Sequence, residues 1–484
     1  MTIRNGCHFF LGLIAQPFNL FCIFDKNTKF MRNSLFLILA LLFFQNSKAQ
    51  CWQSISVGIY NTFGIKNDGT LWGCGANWSG QLGNGTFTDS NTFIQIGSDN
   101  NWKMVSISGA HVLAIKLDGT LWAWGSNSYG QLGDGTTINK LISTQIGTAT
   151  DWKTVSATAF SNLALKNNGT LWAWGFNSSY GQLGDGTFID RNIPTQIGIA
   201  NDWSKIYAGP AHSLGIKNNG TLWAWGNNTY GQFGNGNNID SYVPIQVGTD
   251  NNWKNALSGS YHTLALKTDG TIYTTGEGYY GALANGTTTN LNLLTQVGTE
   301  NDWESIGVGI DNSLAIKYNK TLWISGYNLF GMLGDGTTIQ KNVLTQVGTA
   351  TNWKFASIGE YHTIGTKIDD SMLAWGRNFY GELGNGSTTT SLVPITIACP
   401  ALNNEDYQNL NTFQVYPNPV TTILNINSDE NEIEEISVIY LMGKVILNQK
   451  NNLNQIDVQN VASGIYFLSV TAVGKTTFQK FIKE

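Results

Sequence analysis

The chain has 484 residues, with 17 Trp, 55 Gly and a formal net charge of −5. Charged residues supply only 12% of it, well below the roughly 25% usual for soluble domains, so Asn, Thr and Ser carry the polar surface. This balance offers no basic field for nucleic acid or an anionic membrane surface, and neither is expected as a partner.

The first feature along the chain is an apolar run. Met31 and Arg32 precede Leu35–Phe44, and Ser47-Lys-Ala49 closes the run with small residues. A short positive region, an apolar core too short to span a bilayer and a small-x-small ending predict a secretory signal peptide over 31–49. Residues 1–30 are then an upstream extension, and Met31 is a candidate start. Export would place the cysteines that remain, Cys51, Cys74 and Cys399, in a disulfide-permissive compartment.

A repeat follows. Trp52, Trp102, Trp152, Trp203, Trp253, Trp303 and Trp353 recur every 50 residues, with one step of 51. Fixed self-similarity of this length marks a repeat architecture, here seven copies within 50–399. The second copy shows the unit. Trp102–Ser108 is an expected strand, Gly109-Ala110 a turn and His111–Lys116 a second strand. Asp118-Gly119 makes a tight hairpin, because Gly accepts the positive φ such turns demand. Thr120–Trp124 is the third strand. A polar loop, Gly125–Thr136, leads to a fourth strand around Ser143–Ile146. Four short antiparallel strands per unit make a blade, so the expected fold class is all-β, a seven-bladed β-propeller.

The segment Leu-Trp-Ala-Trp-Gly-x-Asn-x-Tyr-Gly-Gln-Leu-Gly-x-Gly, at 121–135 and nearly unchanged at 171–186 and 222–236, resembles the regulator of chromosome condensation repeat. That family forms seven-bladed propellers, in agreement with the count of seven. Repeat five departs most, at Gly276–Ala284, and repeat seven has Asp370 for the hairpin glycine and Leu373 for a tryptophan. Some eukaryotic members exchange nucleotide on a small GTPase. The even repeat spacing leaves no room for an inserted exchange wedge, so no small GTPase partner is expected, and a monomer is.

Behind Cys399-Pro400 a polar linker, 400–411, leads to a domain over 412–484. Its blocks are Tyr416-Pro417-Asn418-Pro419, Gly443-Lys444 and Gly464 with Tyr466. Their alternating strands predict a small β-sandwich. They resemble the type A sorting domain of type IX secretion, which implies engagement of that secretion machinery. The resemblance also implies transfer to the outer cell surface or beyond, and removal of the tail.

Residues able to carry chemistry have structural readings beside the functional ones. His111, His212, His262 and His362 share one register of the repeat, where the other blades place Asn61, Ser161 and Asn312. Interchange with Asn and Ser fits a hydrogen-bonding plug of the first turn better than a metal site, and no metal is expected. The Asp-Gly pairs lack the ligand ladder and closing Glu of a calcium loop. No Ser-His-Asp set, paired-carboxylate signature or phosphate loop emerges. No cofactor is expected, and the chain reads as non-catalytic. The alternative is an extracellular enzyme whose site converges near the central channel.

Binding needs positions that differ between blades. The turn between strands one and two and the loop between strands three and four open on the same end. In the first stand Tyr60, Ala110, Phe160, Ala211, Tyr261, Asp311 and Tyr361. In the second stand Trp78, Phe176, Glu277, Tyr279, Tyr327, Arg377 and Phe379. Aromatic and Arg anchors on one rim predict recognition of an extracellular protein or glycan, through Tyr60, Trp78, Phe160, Phe176, Tyr261, Glu277, Tyr279, Tyr327, Tyr361, Arg377 and Phe379. Capping of the blades by the same rings is the competing reading. Alignment of repeat seven with repeat three sets Cys399 and Cys51 three residues apart in the connection between blades, which predicts a Cys51–Cys399 disulfide closing the ring. Cys74, in the place of a tryptophan, is expected to be a buried free thiol.

Overall fold

A computed structural model describes residues 51–400, 413–428, 433–440, 445–451, 453–472 and 475–484. The expected upstream extension and signal peptide, linker residues 401–411, and Gly443 and Lys444 lie outside the described residues.

Seven four-stranded antiparallel sheets follow one another along residues 52–397, each with its strands in chain order. In the first blade these strands are Trp52–Val57, Asn61–Lys66, Leu71–Gly75 and Ser90–Gln95. In the second, the fourth strand begins at Lys140, earlier than its apolar residues suggested, because Lys140 pairs with Gly125.

The second strand of every blade is buried along nearly its whole length, sandwiched between neighbouring blades. Packing there is tight. A Cβ on Gly64 would come within 2.5 Å of the Trp52 ring. The same strand ends in Lys, and burial of that ammonium is offset by aromatic faces and a carboxylate. Lys116 Nζ lies 3.6 Å above the Trp122 ring and 2.8 Å from Asp99, an arrangement that combines cation–π and charge attraction.

Blades are clasped by repeated polar contacts. Trp124, Trp174, Trp225 and Trp375 each donate the indole N–H to a backbone carbonyl of the preceding blade, at 2.8–3.0 Å. The histidines act likewise. His111 Nε2 meets Asn162 Oδ1 at 2.8 Å, and His212 Nε2 meets Thr263 Oγ1 at 2.9 Å, both in the next blade. They are therefore inter-blade clasps, where the sequence suggested plugs within a turn. Burial depresses them, to about 4 for His111 and His262 and about 3 for His212 and His362. All four are neutral at physiological pH.

The seam between blades seven and one lacks a peptide link but repeats these contacts. Thr62 donates to the Glu382 carbonyl at 2.8 Å, and Gly386 N–H donates to Asn91 O at 2.8 Å. Cys51 and Cys399 are joined by a disulfide, with Cα atoms 5.9 Å apart and a sequence separation of 348. Cys74 is a buried free thiol, pushed well above the usual thiol range by its burial.

The C-terminal unit is a second all-β body, with sheets of three and four strands among the described residues. Phe413, Val415, Leu424, Ile426 and Ile456 from one sheet meet Ile436, Val438, Tyr466, Leu468 and Phe481 from the other. Alternate residues of each strand thus make one core, as in a sandwich. Tyr466 is buried, stacks on Phe481 and donates its hydroxyl to Ala462 O at 2.9 Å. Tyr416 is exposed, while Asn418 accepts a hydrogen bond from Ile482 N–H at 2.8 Å.

Candidate functional site

The loop between strands three and four is built by a buried asparagine. Asn127 Oδ1 accepts from Leu132 N–H, and its Nδ2 donates to Thr136 O and Ile138 O. Asn77, Asn177, Asn228, Asn328 and Asn378 are buried at the same place. Blade five has Gly278 instead, and its loop becomes a short 3-10 turn, Tyr279–Gly281. A rigid scaffold thus presents variable side chains at fixed positions on the rim.

The loop of one blade meets the first turn of the next. Tyr129 lies 5.3 Å from Phe160, Tyr230 lies 5.2 Å from Tyr261, and Phe330 lies 5.5 Å from Tyr361, measured between ring centroids. Tyr380 and Tyr60 continue the pattern across the seam, at 5.7 Å. The aromatic residues therefore form an interrupted ring. Such loop-to-turn contacts, edge to face as is typical of these pairs, bridge four of the seven junctions, while Ala110, Ala211 and Asp311 stand at the other three.

Of the expected rim residues, Trp78, Phe160, Tyr279 and Phe379 are exposed. Tyr60, Phe176, Tyr261, Glu277, Tyr327 and Tyr361 are half-buried. Tyr261 is pushed up to about 12, chiefly by burial, with Tyr180, Tyr230 and Glu277 nearby. Trp78, Tyr60 and Tyr380 form one cluster at the seam. Phe160 and Phe176 form another, with Tyr129, at blades two and three. The mouth of the central channel lies inside the ring and is lined by Ile59, Pro210, Ser260, Ile310 and Glu360.

Arg377 stands apart from the other expected anchors. It is only 7% exposed, and its Nε donates to Glu382 Oε1 at 3.0 Å. Its guanidinium lies 4.0 Å from the Tyr361 ring and 4.7 Å from Tyr60. Other blades show the origin of this pair. Asn227 pairs with Gln232 at 2.7 Å in the equivalent positions, and Gln232 Oε1 also accepts from Tyr230 N–H. Blade seven replaces the neutral pair with an ionic one, so Arg377 is neutralised inside the chain and its guanidinium packs at the seam.

Sequence reading named Glu277 as a rim anchor and Asp311 as a first-turn residue, but it missed Glu360 and the acidic character the three give the rim. Glu277, Asp311 and Glu360 form no ion pair with the basic residues of the described chain. Burial raises all three, and Asp311 reaches about 6, helped by the charges of Glu277 and Glu360. The signal was present: Asp311 interrupts a register otherwise held by aromatic residues and alanine. Among the described residues, no group of three His, Cys, Asp or Glu is placed to hold a metal ion.

Comparison with known proteins agrees with the repeat. The family model described as regulator of chromosome condensation (RCC1) repeat matches residues 68–115, 118–165, 168–216 and 219–266. A second model of the same repeat matches within 103–282. The secretion system C-terminal sorting domain matches 414–484. Human WBSCR16 has a similar structure, with a TM-score of 0.61, 19% identity, and coverage of 68% of this chain and 94% of its own. Prp20p of Saccharomyces cerevisiae is similar too, with a TM-score of 0.61 and 18% identity over 76% of this chain and 90% of its own. Identities this low speak for the fold alone.

Two curated bacterial proteins share a shorter stretch. Ulvan lyase NLR42 of Nonlabens ulvanivorans is 32% identical over 77 residues, 15% of this chain and 14% of its own length. Beta-agarase D of Zobellia galactanivorans is 36% identical over 88 residues, 18% of each chain. This chain therefore spans less than a fifth of either relative. The protein carries regulator of chromosome condensation repeats in a seven-bladed β-propeller, followed by a type IX secretion sorting domain that marks it for the cell surface or the extracellular space.

Proposed function

We propose that the protein is a non-catalytic binding propeller that recognises an extracellular protein or glycan on its aromatic rim. Its working parts are the propeller at 50–399, a linker at 400–411 and the sorting domain at 412–484. The carrying observation is the ring of aromatic side chains around the channel mouth, part exposed and held on a rigid scaffold. Large rings that shed water on contact, at little entropic cost, are what interfaces and sugar-stacking sites use. Tyr261, Tyr279, Tyr327 and Phe379 are the proposed anchors.

The test is substitution on the rim with binding as the readout. Tyr261→Ala or Tyr327→Ala should weaken ligand binding by about 1–3 kcal/mol while leaving the thermal unfolding midpoint nearly unchanged. Undiminished affinity in both variants would make the rim a blade cap only.

One observation favours a second reading. Asp311 reaches about 6 beside two further carboxylates, the condition a general acid needs near neutral pH. In that reading the channel mouth is a hydrolytic site. Hydrolysis of an extracellular polymer, lost in Asp311→Asn, would establish it over binding alone.

A further inference from the structure

Resting on the rim reading above, we infer that the junction of blades five and six receives a Lys or Arg side chain presented by a partner protein. The junction of blades two and three shows the ordinary filling of such a place. Tyr129, Phe160 and Phe176 pack together there, with centroids 4.9–6.2 Å apart. At blades five and six, Tyr280 and Tyr327 take the positions of Tyr129 and Phe176, 4.7 Å apart. Asp311 stands where Phe160 stands. A carboxylate has replaced the third ring, and no basic residue of the described chain forms an ion pair with it.

The seam shows within this same molecule what such a lining holds. There the Arg377 guanidinium packs against Tyr361 and Tyr60, at 4.0 and 4.7 Å, with Glu382 as its counter-charge. Rings plus a carboxylate suit a cation because the ring face is electron-rich and the carboxylate completes the charge. Blade five carries the acid but not the base: Glu277 occupies the Arg377 position, and Ala282 the Glu382 position.

Charge complementarity fixes the sign of the partner. The basic side chains that open the fourth strands at this end are spent within the chain. Lys140 pairs with Asp134, Arg191 with Asp185, and Lys341 with Asp335. Arg377 is paired with Glu382 and its charge also reaches Glu360, which leaves Glu277 and Asp311 to set the field at this junction. That field repels a sulfated or carboxylated glycan and gives a neutral one no charge attraction. A protein presenting Lys or Arg gains from both the rings and the acids.

The experiment is a titration of the purified secreted protein with two fluorescent tripeptides, tri-arginine and its neutral isostere tri-citrulline. A neutral agar-derived oligosaccharide forms a third arm. Tri-arginine should bind at low salt, and tri-citrulline should not. Asp311→Asn and Glu277→Gln should each weaken tri-arginine binding by about tenfold, with unfolding midpoints confirming that both variants fold. Equal affinity of the wild type and Asp311→Asn for tri-arginine, or equal affinity for both peptides, would overturn the assignment. Absence of tri-arginine binding would overturn it as well. Oligosaccharide binding that is lost in Tyr327→Ala but kept in Asp311→Asn would overturn the cation assignment and leave the rim reading standing. Loss of every rim-dependent interaction would end both.

Discussion

His362 Nε2 lies 2.9 Å from Thr62 Oγ1, across the one junction of the propeller that no peptide bond spans. The same contact joins blades two and three, and four and five, where the chain is continuous. The ring therefore closes by repeating its ordinary clasp, and a single side-chain register serves both the covalent and the non-covalent junctions.

That register makes stability depend on pH. The histidines are fully buried and depressed to about 3–4, whereas an unfolded histidine titrates near 6.5. The unfolded chain thus binds protons first as the pH falls. The stabilising term is complete above about pH 6.5 and is lost progressively toward the folded values. At pH 5 the loss is about 2 kcal/mol for each histidine. Asp311, raised to about 6, works in the opposite sense and recovers part of it. Thermal unfolding between pH 7.5 and 5 should show a steep fall in Tm. His111→Asn combined with His362→Asn should flatten that fall, and a Tm independent of pH would refute the clasp as the acid-sensitive element.

The disulfide seals the same seam from the other end of the blades. Cys51 and Cys399 bracket the whole propeller, so the bond restricts a very long loop in the unfolded chain. Cys399→Ser is expected to lower stability by several kcal/mol, at most about 5, without loss of the fold, because the side-chain clasps remain. Peptide mapping without reductant should recover the Cys51 and Cys399 peptides linked, and Cys74 alone should react with alkylating reagent after unfolding. Free alkylation of Cys51 in the untreated protein would contradict this.

Processing provides a third check. The sorting domain at 414–484 is expected to be removed after export. Intact-mass analysis of culture supernatant and cell surface should then find a form ending near residue 411. Protein recovered only to Glu484 would count against removal.

Much of the fold was legible in the residues, and the reason is periodicity. The tryptophan at the head of each repeat, the Asp118-Gly119 hairpin and the shared histidine register all recur, so one blade could be read from six others. The alignment of Cys399 with Ile199 and of Cys51 with Asp202 located the seam for the same reason. The rim was less legible because its chemistry lies between blades. Arg377 looked like a free anchor until Glu382, five residues on, was seen in the place of a glutamine with its carboxylate against the guanidinium. Asp311 looked like one more variable turn residue. Only the fold sets it beside Tyr280 and Tyr327, from a neighbouring loop and its own blade, with Glu277 and Glu360 acting on its charge.

The central claim is that the aromatic end of the propeller is the end that meets other molecules. Site-specific photo-crosslinking in the producing cells tests it directly, with a benzophenone side chain placed one position at a time. Rim positions 279, 327 and 379 would be compared with hairpin positions 168 and 219, between strands two and three at the opposite end. Adducts of one defined mass from the rim positions, and none from the hairpins, are the expected result. Adducts from the hairpin positions alone would contradict the account.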